Sequence, residues 1–149
     1  MSTRPNKMQR LVRLNQFREE LANGVLRHAI HEQNQATDRH DKATVAIEQL
    51  GQWKAQKQSD GGLDLALYSA VLEHEHHAML RADKLKLEVR TAEVAMQTAQ
   101  KRMIEAASNT KVSEQRELRQ KKQAENETEK RQFDQISDVW LNNRERAHD

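Results

Sequence analysis

The chain has 149 residues, enough for one ordinary domain, and only 36% of them are hydrophobic. Nearly half are Ala, Glu, Lys, Leu or Arg, a composition that is typical of long helices and coiled coils. Four Gly, one Pro and 3% aromatic residues are too few for the turns and strands of a sheet or barrel. The composition therefore disfavours a compact catalytic fold.

The charges balance, with 25 basic and 23 acidic residues mixed along the whole chain. The densest basic cluster, Arg119–Lys122, is followed by Glu125, Glu127 and Glu129, which indicates a solvated helix face and no nucleic-acid partner. Apolar stretches are short, and the first residues, MSTRPNKMQR, lack the apolar segment of a secretory signal. We therefore expect no membrane insertion, and the absence of Cys fits a reducing compartment.

The first predicted element is a helix over about residues 6–57, where there is no Pro and only Gly24 and Gly51 interrupt the pattern. The positions that recur with spacings of three and four form two series, which are apolar except at Gln33 and His40. We interpret the change between the two series near residues 22–26 as a stutter. The first series is Met8, Leu11, Leu14, Phe17, Leu21 and Val25. The second series is Ala22, Leu26, Ala29, Gln33, Ala36, His40, Ala43, Ile47 and Leu50.

A turn over about residues 58–63 is predicted by Ser59-Asp60-Gly61-Gly62, with Asp60 or Asp64 capping the next helix. The second helix is predicted over about residues 64–146, which contain no Gly or Pro. Its seam, the row of residues expected to face the partner helix, is Ala78, Ala82, Leu85, Val89, Ala92, Met96, Ala99, Met103 and Ala106. Two long helices joined by a short turn predict an all-α fold, a single antiparallel coiled-coil hairpin over residues 1–149.

The second helix is longer than the first and should overhang it. With a turn centred near residue 60, residue i faces about residue 120 − i, so Leu85 should lie near Gln35 and Ala106 near Leu14. The first helix then ends opposite about residue 118, which leaves Arg119–Asp149 as an overhang. Phe133, Ile136 and Trp140 form an apolar stripe there, and we interpret it as a docking surface. The alternative is that this segment folds back or frays.

No constellation of catalytic residues is recognisable, so we expect neither an enzyme nor a bound cofactor. His74 and His77 could share a helix face, as could His28 and His31, but each pair lacks the third ligand of a metal site. No metal site is therefore predicted. His40 falls in the seam and is interpreted as a packing residue.

Two of the five aromatic residues, Trp53 and Tyr68, flank the predicted turn. Leu50, Val71 and Leu72 lie close to them in the sequence. Trp and Tyr are favoured as binding anchors because they bury a large area at low entropic cost. We interpret this group as a binding surface, and the alternative is that it closes the end of the coiled coil.

Two segments resemble one known family. The second helix opens with LALYSAVLEHEHHAML, from Leu65, and later contains ENETEKRQFDQISDVW, from Glu125. With the predicted hairpin, these segments resemble the FliJ/YscO (SctO) family, the central-stalk proteins of flagellar and injectisome type III export. The resemblance implies a non-enzymatic stalk that inserts into a hexameric export ATPase, promotes its activity and links it to the export gate.

The resemblance also implies partners and contact residues. The partners would be the hexameric ATPase, the cytoplasmic ring of the export gate and export chaperones, with the free chain a monomer in the bacterial cytoplasm, peripheral to the inner-membrane export apparatus. The ATPase would contact the N-terminal arm together with Arg131, Phe133, Asp134, Ile136 and Trp140. The export gate would contact Leu50, Trp53, Tyr68, Val71, Leu72 and Ala78. The alternative from the residues is a generic coiled-coil scaffold or export chaperone that does not enter a ring.

Overall fold

The computed structural model describes residues 6–62 and 64–148, and it contains two helices that pack against each other. Helix α1 is Lys7–Ser59 and helix α2 is Leu65–His148. No strand occurs among the described residues, which confirms the all-α prediction. Leu63, in the predicted turn, and Asp149, at the end of the predicted overhang, lie outside the described residues.

A reciprocal capping box begins α1. The backbone N–H of Gln9 donates to Asn6 Oδ1 at 2.8 Å, and the backbone N–H of Asn6 donates to Gln9 Oε1 at 3.2 Å. These two bonds satisfy amide groups that have no partner within the helix. The start of α1 is therefore fixed by its own residues.

The end of α1 is a Schellman motif centred on Gly61. The N–H of Gly62 donates to Lys57 O at 3.0 Å and the N–H of Gly61 donates to Gln58 O at 3.2 Å. Gly61 has φ 68°, a conformation that costs a residue with a Cβ about 1–2 kcal/mol. Asp64 then caps α2, since its Oδ1 accepts from the N–H of Leu67 at 2.7 Å. Of the two capping residues expected, Asp64 is the one used.

The chain forms two units, which we describe separately. The hairpin unit is Leu21–Ile104 and contains the turn. The terminal unit consists of residues up to Glu20 and residues from Glu105. Each unit pairs a part of α1 with a part of α2, and each has its own seam.

The hairpin unit confirms both seams predicted for it. The second series of α1, from Ala22 to Leu50, and the α2 series from Ala78 to Met103 are buried or half-buried; Ala106, the last predicted member, is half-buried in the terminal unit. Ala29, Ala36 and Ala99 are its most enclosed small residues. The alternating spacing also takes in Lys54 on α1 and Glu75 on α2, which are half-buried although they are charged.

The first series predicted for α1 is wrong apart from Met8. In the terminal unit the seam of α1 is Met8, Val12, Asn15 and Glu19, with Val12 only 7% exposed. The apolar residues of the prediction face solvent: they are Leu11, Leu14, Phe17, Leu21 and Val25. Glu19 precedes Ala22 by three residues, so the spacing continues without the predicted stutter.

The seam of α2 in the terminal unit is polar as well. Thr110 and Ser113 are buried, and their hydroxyls donate to backbone carbonyls of their own helix, to Ala106 O at 3.1 Å and Thr110 O at 2.8 Å. Asn15 Nδ2 donates across to Asn109 O at 3.4 Å. The first series of α1 was predicted wrongly because the packed face of the terminal unit is partly polar. The periodic apolar residues between 11 and 25 lie on a different face of the helix.

The predicted pairing is displaced. The predicted pairing places Glu88 opposite about residue 32. In the hairpin unit, Glu88 Oε2 instead lies 4.0 Å from Arg39 Nη1. The displacement has a local cause, since α1 continues to Ser59 and the turn lies between it and Leu65 rather than near residue 60. Each residue of α2 therefore meets α1 closer to the turn than expected.

Candidate docking surfaces

The six residues expected to contact an export gate lie around the end of the hairpin unit that contains the turn, but they do not form one exposed patch. Four occupy the seam: Val71 is 7% exposed, and Leu50, Tyr68 and Ala78 are half-buried. Trp53 and Leu72 are exposed. The alternative interpretation, that these residues close the end of the coiled coil, therefore applies to the four residues in the seam.

Trp53 and Leu72 flank the seam on opposite edges. Trp53 follows the seam residue Leu50 by three, whereas Leu72 follows Val71 by one. In an antiparallel pair, these two heptad positions lie on different sides of the packed face. A partner that contacts both must therefore span the seam, across the partly exposed ring of Tyr68.

An ion pair that the sequence prediction missed stands beside this group. Lys54 Nζ donates to Glu75 Oε2 at 2.9 Å, and both side chains are largely shielded, with 23% and 17% exposed. The hydrogen bond to Glu75 is the main cause that raises the pKa of Lys54 above its ordinary value. Lys54 follows Leu50 by four residues and Glu75 follows Val71 by four, so extending the heptads would have found both.

The overhang carries an exposed apolar stripe, as predicted. Within the terminal unit, every residue from Leu118 to Ile136 is exposed. Phe133, Ile136 and Trp140 are 71%, 69% and 58% exposed, and the guanidinium carbon of Arg144 lies 5.4 Å from the centre of the Trp140 ring. The stripe is therefore helical and largely solvated, with Arg144 of the same helix beside Trp140.

The stripe faces away from the direction of the seam. Continuing the seam spacing beyond Ser113 and Glu117 leads to Arg131, Asp134 and Asp138. Each residue of the stripe comes two positions after one of these, a rotation of about 200° on a helix. Arg131 and Asp134, also expected at the ATPase contact, are exposed but lie on this polar face. The structure thus separates the five predicted residues into two faces.

The terminal unit has a second exposed apolar surface, on the N-terminal arm. Leu11, Leu14 and Phe17 project from α1, and Phe17 is 57% exposed. The resemblance implies an N-terminal contact with the ATPase but specifies no residues for it. These three are the large apolar side chains that α1 exposes within the terminal unit.

The histidine pairs are exposed helix residues. His77 Nε2 lies 4.0 Å from Glu73 Oε1, and His28 Nε2 lies 4.0 Å from Glu32 Oε1. Within residues 6–62 and 64–148, no group of three His, Cys, Asp or Glu side chains could hold a metal ion. His40 is half-buried in the seam of the hairpin unit, at the position predicted for a packing residue.

Neither helix, over the part of the chain that the structure describes, has an apolar segment long enough to cross a membrane. Comparison of the chain with protein-family models, with curated proteins and with solved structures gave no significant match. The fold is thus established from the structure itself, as an all-α helical hairpin with exposed apolar surfaces.

Proposed function

We propose that the chain is a non-enzymatic stalk subunit of a bacterial type III export ATPase, flagellar or injectisome, which works in the cytoplasm at the inner-membrane export apparatus. The resemblance of the Leu65 and Glu125 segments to the FliJ/YscO family suggests this role. The observation that carries the proposal is the overhang, a helical segment with a largely exposed apolar stripe. Such an exposed stripe supports docking to a protein partner.

In this proposal the overhang enters the hexameric ATPase and promotes its activity. Phe133, Ile136 and Trp140 supply the apolar contact, while Arg131 and Asp134 meet polar groups on the other side of the helix. A helix surrounded by six subunits can use both faces at once, so the separation of the five residues is compatible with one ring. The exposed Leu14 and Phe17 of α1 add a second contact.

The deciding experiment measures ATP hydrolysis by the purified hexameric export ATPase with and without this chain. Truncation after Lys130 and the pair Phe133→Ala with Trp140→Ala should both abolish stimulation, because the first removes the whole stripe and the second removes its two aromatic side chains. Leu118→Ala is the matched control, since Leu118 is an exposed apolar residue of the same unit outside the stripe. Circular dichroism should show an unchanged melting temperature for the substituted chains. Full stimulation by the truncated chain would disprove the ATPase contact.

The export gate would bind the exposed residues beside the turn. Trp53 and Leu72 provide the accessible apolar area, with Tyr68 between them, while Leu50, Val71 and Ala78 support the site from the seam. Trp53→Ala and Tyr68→Ala should each abolish binding to the cytoplasmic domain of the gate, measured by calorimetry. Leu80→Ala, at another exposed leucine of the hairpin unit, should bind normally. Equal binding by all three variants would exclude this surface.

A coiled-coil scaffold is the second candidate, and one observation favours it. Leu80, Leu87 and Val94 recur every seven residues on α2 and are all exposed, so the hairpin unit has an apolar row on its outer side. A scaffold would use this row to associate with a second chain. Light scattering decides between the two: the stalk predicts a monomer, whereas the scaffold predicts a dimer that Leu87→Glu dissociates.

A further inference from the structure

A groove runs between the two helices along one edge of the hairpin unit. It has a volume of about 450 Å³ and lies over the small side chains of Ala43, Ala46 and Ala78. Alanine at these positions leaves the space beside the seam unfilled, where larger side chains would cover it. The groove therefore offers an apolar floor that is open to solvent.

The rim of the groove is basic. Arg39 and Lys42 border it from α1, and Arg81 borders it from α2. His74 and His77 complete the α2 side, and no acidic side chain is among the lining residues. Positive charge around an apolar floor favours an occupant that is apolar on one side and acidic on its flanks.

The counterions of the rim are weakly held. Lys42 pairs with Asp38 of its own helix at 3.0 Å, with both side chains well exposed, and Arg39 lies 4.0 Å from Glu88. No carboxylate of residues 6–62 or 64–148 lies within 4.0 Å of a nitrogen of the Arg81 guanidinium. Exposed pairs of this kind contribute little to stability, so an incoming carboxylate can replace them at low cost.

The charge along this edge favours a short helix over a nucleic-acid backbone. Along the same edge another depression is lined by Glu32 and Glu88 together with Arg39 and Lys84, so the excess of positive charge does not continue beyond the groove. A phosphate backbone that followed this edge would find no net positive charge in that depression and would pass close to its two carboxylates. A short helix ends before that point.

The edge continues toward the turn with apolar residues. On α1, Arg39, Ala46 and Trp53 recur every seven residues, and on α2 Leu67, His74 and Arg81 do the same. Trp53 and Leu67 are therefore on the edge that carries the groove, and both are exposed. An occupant of the groove can extend over them and gain an aromatic anchor.

We propose that this groove binds an acidic amphipathic helix of a partner protein, which packs as a third helix on the hairpin unit. Its apolar residues lie on Ala43, Ala46 and Ala78, and its carboxylates pair with Arg39, Lys42 and Arg81. The proposal concerns a surface apart from the overhang. This surface shares Ala78 and the neighbouring Trp53 with the residues proposed to contact the export gate, but the experiment below tests it without any export partner.

The probe is a synthetic, end-capped peptide of about three heptads, with Leu at the a and d positions and Glu at the e and g positions. Repulsion between its Glu residues keeps it from pairing with itself. A second peptide with Lys in place of every Glu is the charge control. Binding to the full chain is measured by calorimetry and by Trp fluorescence at about 0.05 M and 0.2 M salt.

We expect the acidic peptide to bind, the basic peptide not to bind, and affinity to fall as salt rises. Arg81→Glu should weaken binding at least about tenfold, whereas Lys86→Glu, the same charge change on the other edge of α2, should change it less than about twofold. Ala46→Met should fill the groove and weaken binding similarly, unlike Ala55→Met on the outer side of α1. The variants should retain the parent's helicity.

Four results would overturn the proposal. One is no binding of the acidic peptide at about 1 mM, and another is equal loss of affinity for Arg81→Glu and Lys86→Glu. Displacement of the peptide by millimolar inorganic phosphate would indicate a simple anion site. Tighter binding of a peptide with this chain's own sequence from Lys122 to Arg146, together with self-association that Arg81→Glu abolishes, would identify a second copy as the occupant.

Discussion

The hairpin unit and the terminal unit pair the same two helices, yet they fill the seam with different residues. In the hairpin unit the apolar residues with spacings of three and four lie inside, from Ala22 to Leu50 on α1. In the terminal unit Asn15, Thr110 and Ser113 lie inside, while Leu14 and Phe17 lie outside. Apolar residues that recur with a helical spacing therefore identify one face of a helix. That face packs against the other helix in the hairpin unit, whereas in the terminal unit it is exposed to solvent.

The strongest test compares a buried and an exposed valine of α2, both in the hairpin unit. Val71→Asp should lower the free energy of unfolding by about 3–5 kcal/mol, because it places an unpaired carboxylate in the seam. Val94→Asp should change it by less than about 0.5 kcal/mol, since Val94 is 62% exposed. Thermal unfolding followed by circular dichroism measures both. Equal destabilisation would mean that the seam does not pass through Val71.

A smaller effect tests the corrected seam of the terminal unit. Val12→Ala should cost about 1–2 kcal/mol of unfolding free energy, because it removes buried methyl groups. Leu14→Ala removes more carbon atoms but from an exposed side chain, and should cost less than about 0.5 kcal/mol. Urea unfolding of the two variants gives the comparison. If Leu14→Ala were the more destabilising of the two, the packed face of α1 would be the apolar series predicted from the sequence.

The smallest effect concerns pH and the Lys54–Glu75 pair. Because folding raises the pKa of Lys54, the pair stabilises the folded state below the ordinary Lys pKa of about 10.4, and this stabilisation is lost as the pH rises through the raised value. The parent should therefore lose stability at strongly alkaline pH more steeply than Lys54→Met with Glu75→Leu. Leu80→Ala, which removes no ionisable group and lies on the exposed side of α2, should keep the parent's pH profile. Identical profiles for the parent and the double variant would show that the pair is not formed.

Much of the fold could be predicted from the sequence, for reasons that specific residues make plain. The Ser59–Gly62 cluster marked the turn, and the long α2 series from Ala78 to Ala106 marked a packed face because all of its members are apolar. The continuation of the seam beyond the predicted series was missed because it includes the polar residues Glu19, Lys54, Glu75, Thr110 and Ser113. A polar residue in a seam carries no hydropathy signal, and only the continued spacing shows it.

The candidate surfaces were harder to predict than the fold. The stripe at Phe133, Ile136 and Trp140 was recognised because it follows a long polar stretch of the overhang. The groove was missed, since it arises from Ala46 of α1 beside Ala78 of α2, and that juxtaposition depends on a register that the sequence placed incorrectly. A surface formed by two segments needs the pairing to be known within a residue or two.

The capped turn has a consequence for how the chain folds. Gly61 and Asp64 complete the hydrogen bonds of both helix ends locally, and the nearby Lys54–Glu75 contact closes a separation of only 21 residues. The Gln16–Glu114 contact closes a separation of 98. The entropy lost on closing a loop grows with its length. We therefore expect α1 and α2 to pair first next to the turn and then progressively farther from it. Amide hydrogens around Val71 should then exchange more slowly than those around Val12, which would make the N-terminal turns of α1 the first to open in the native ensemble.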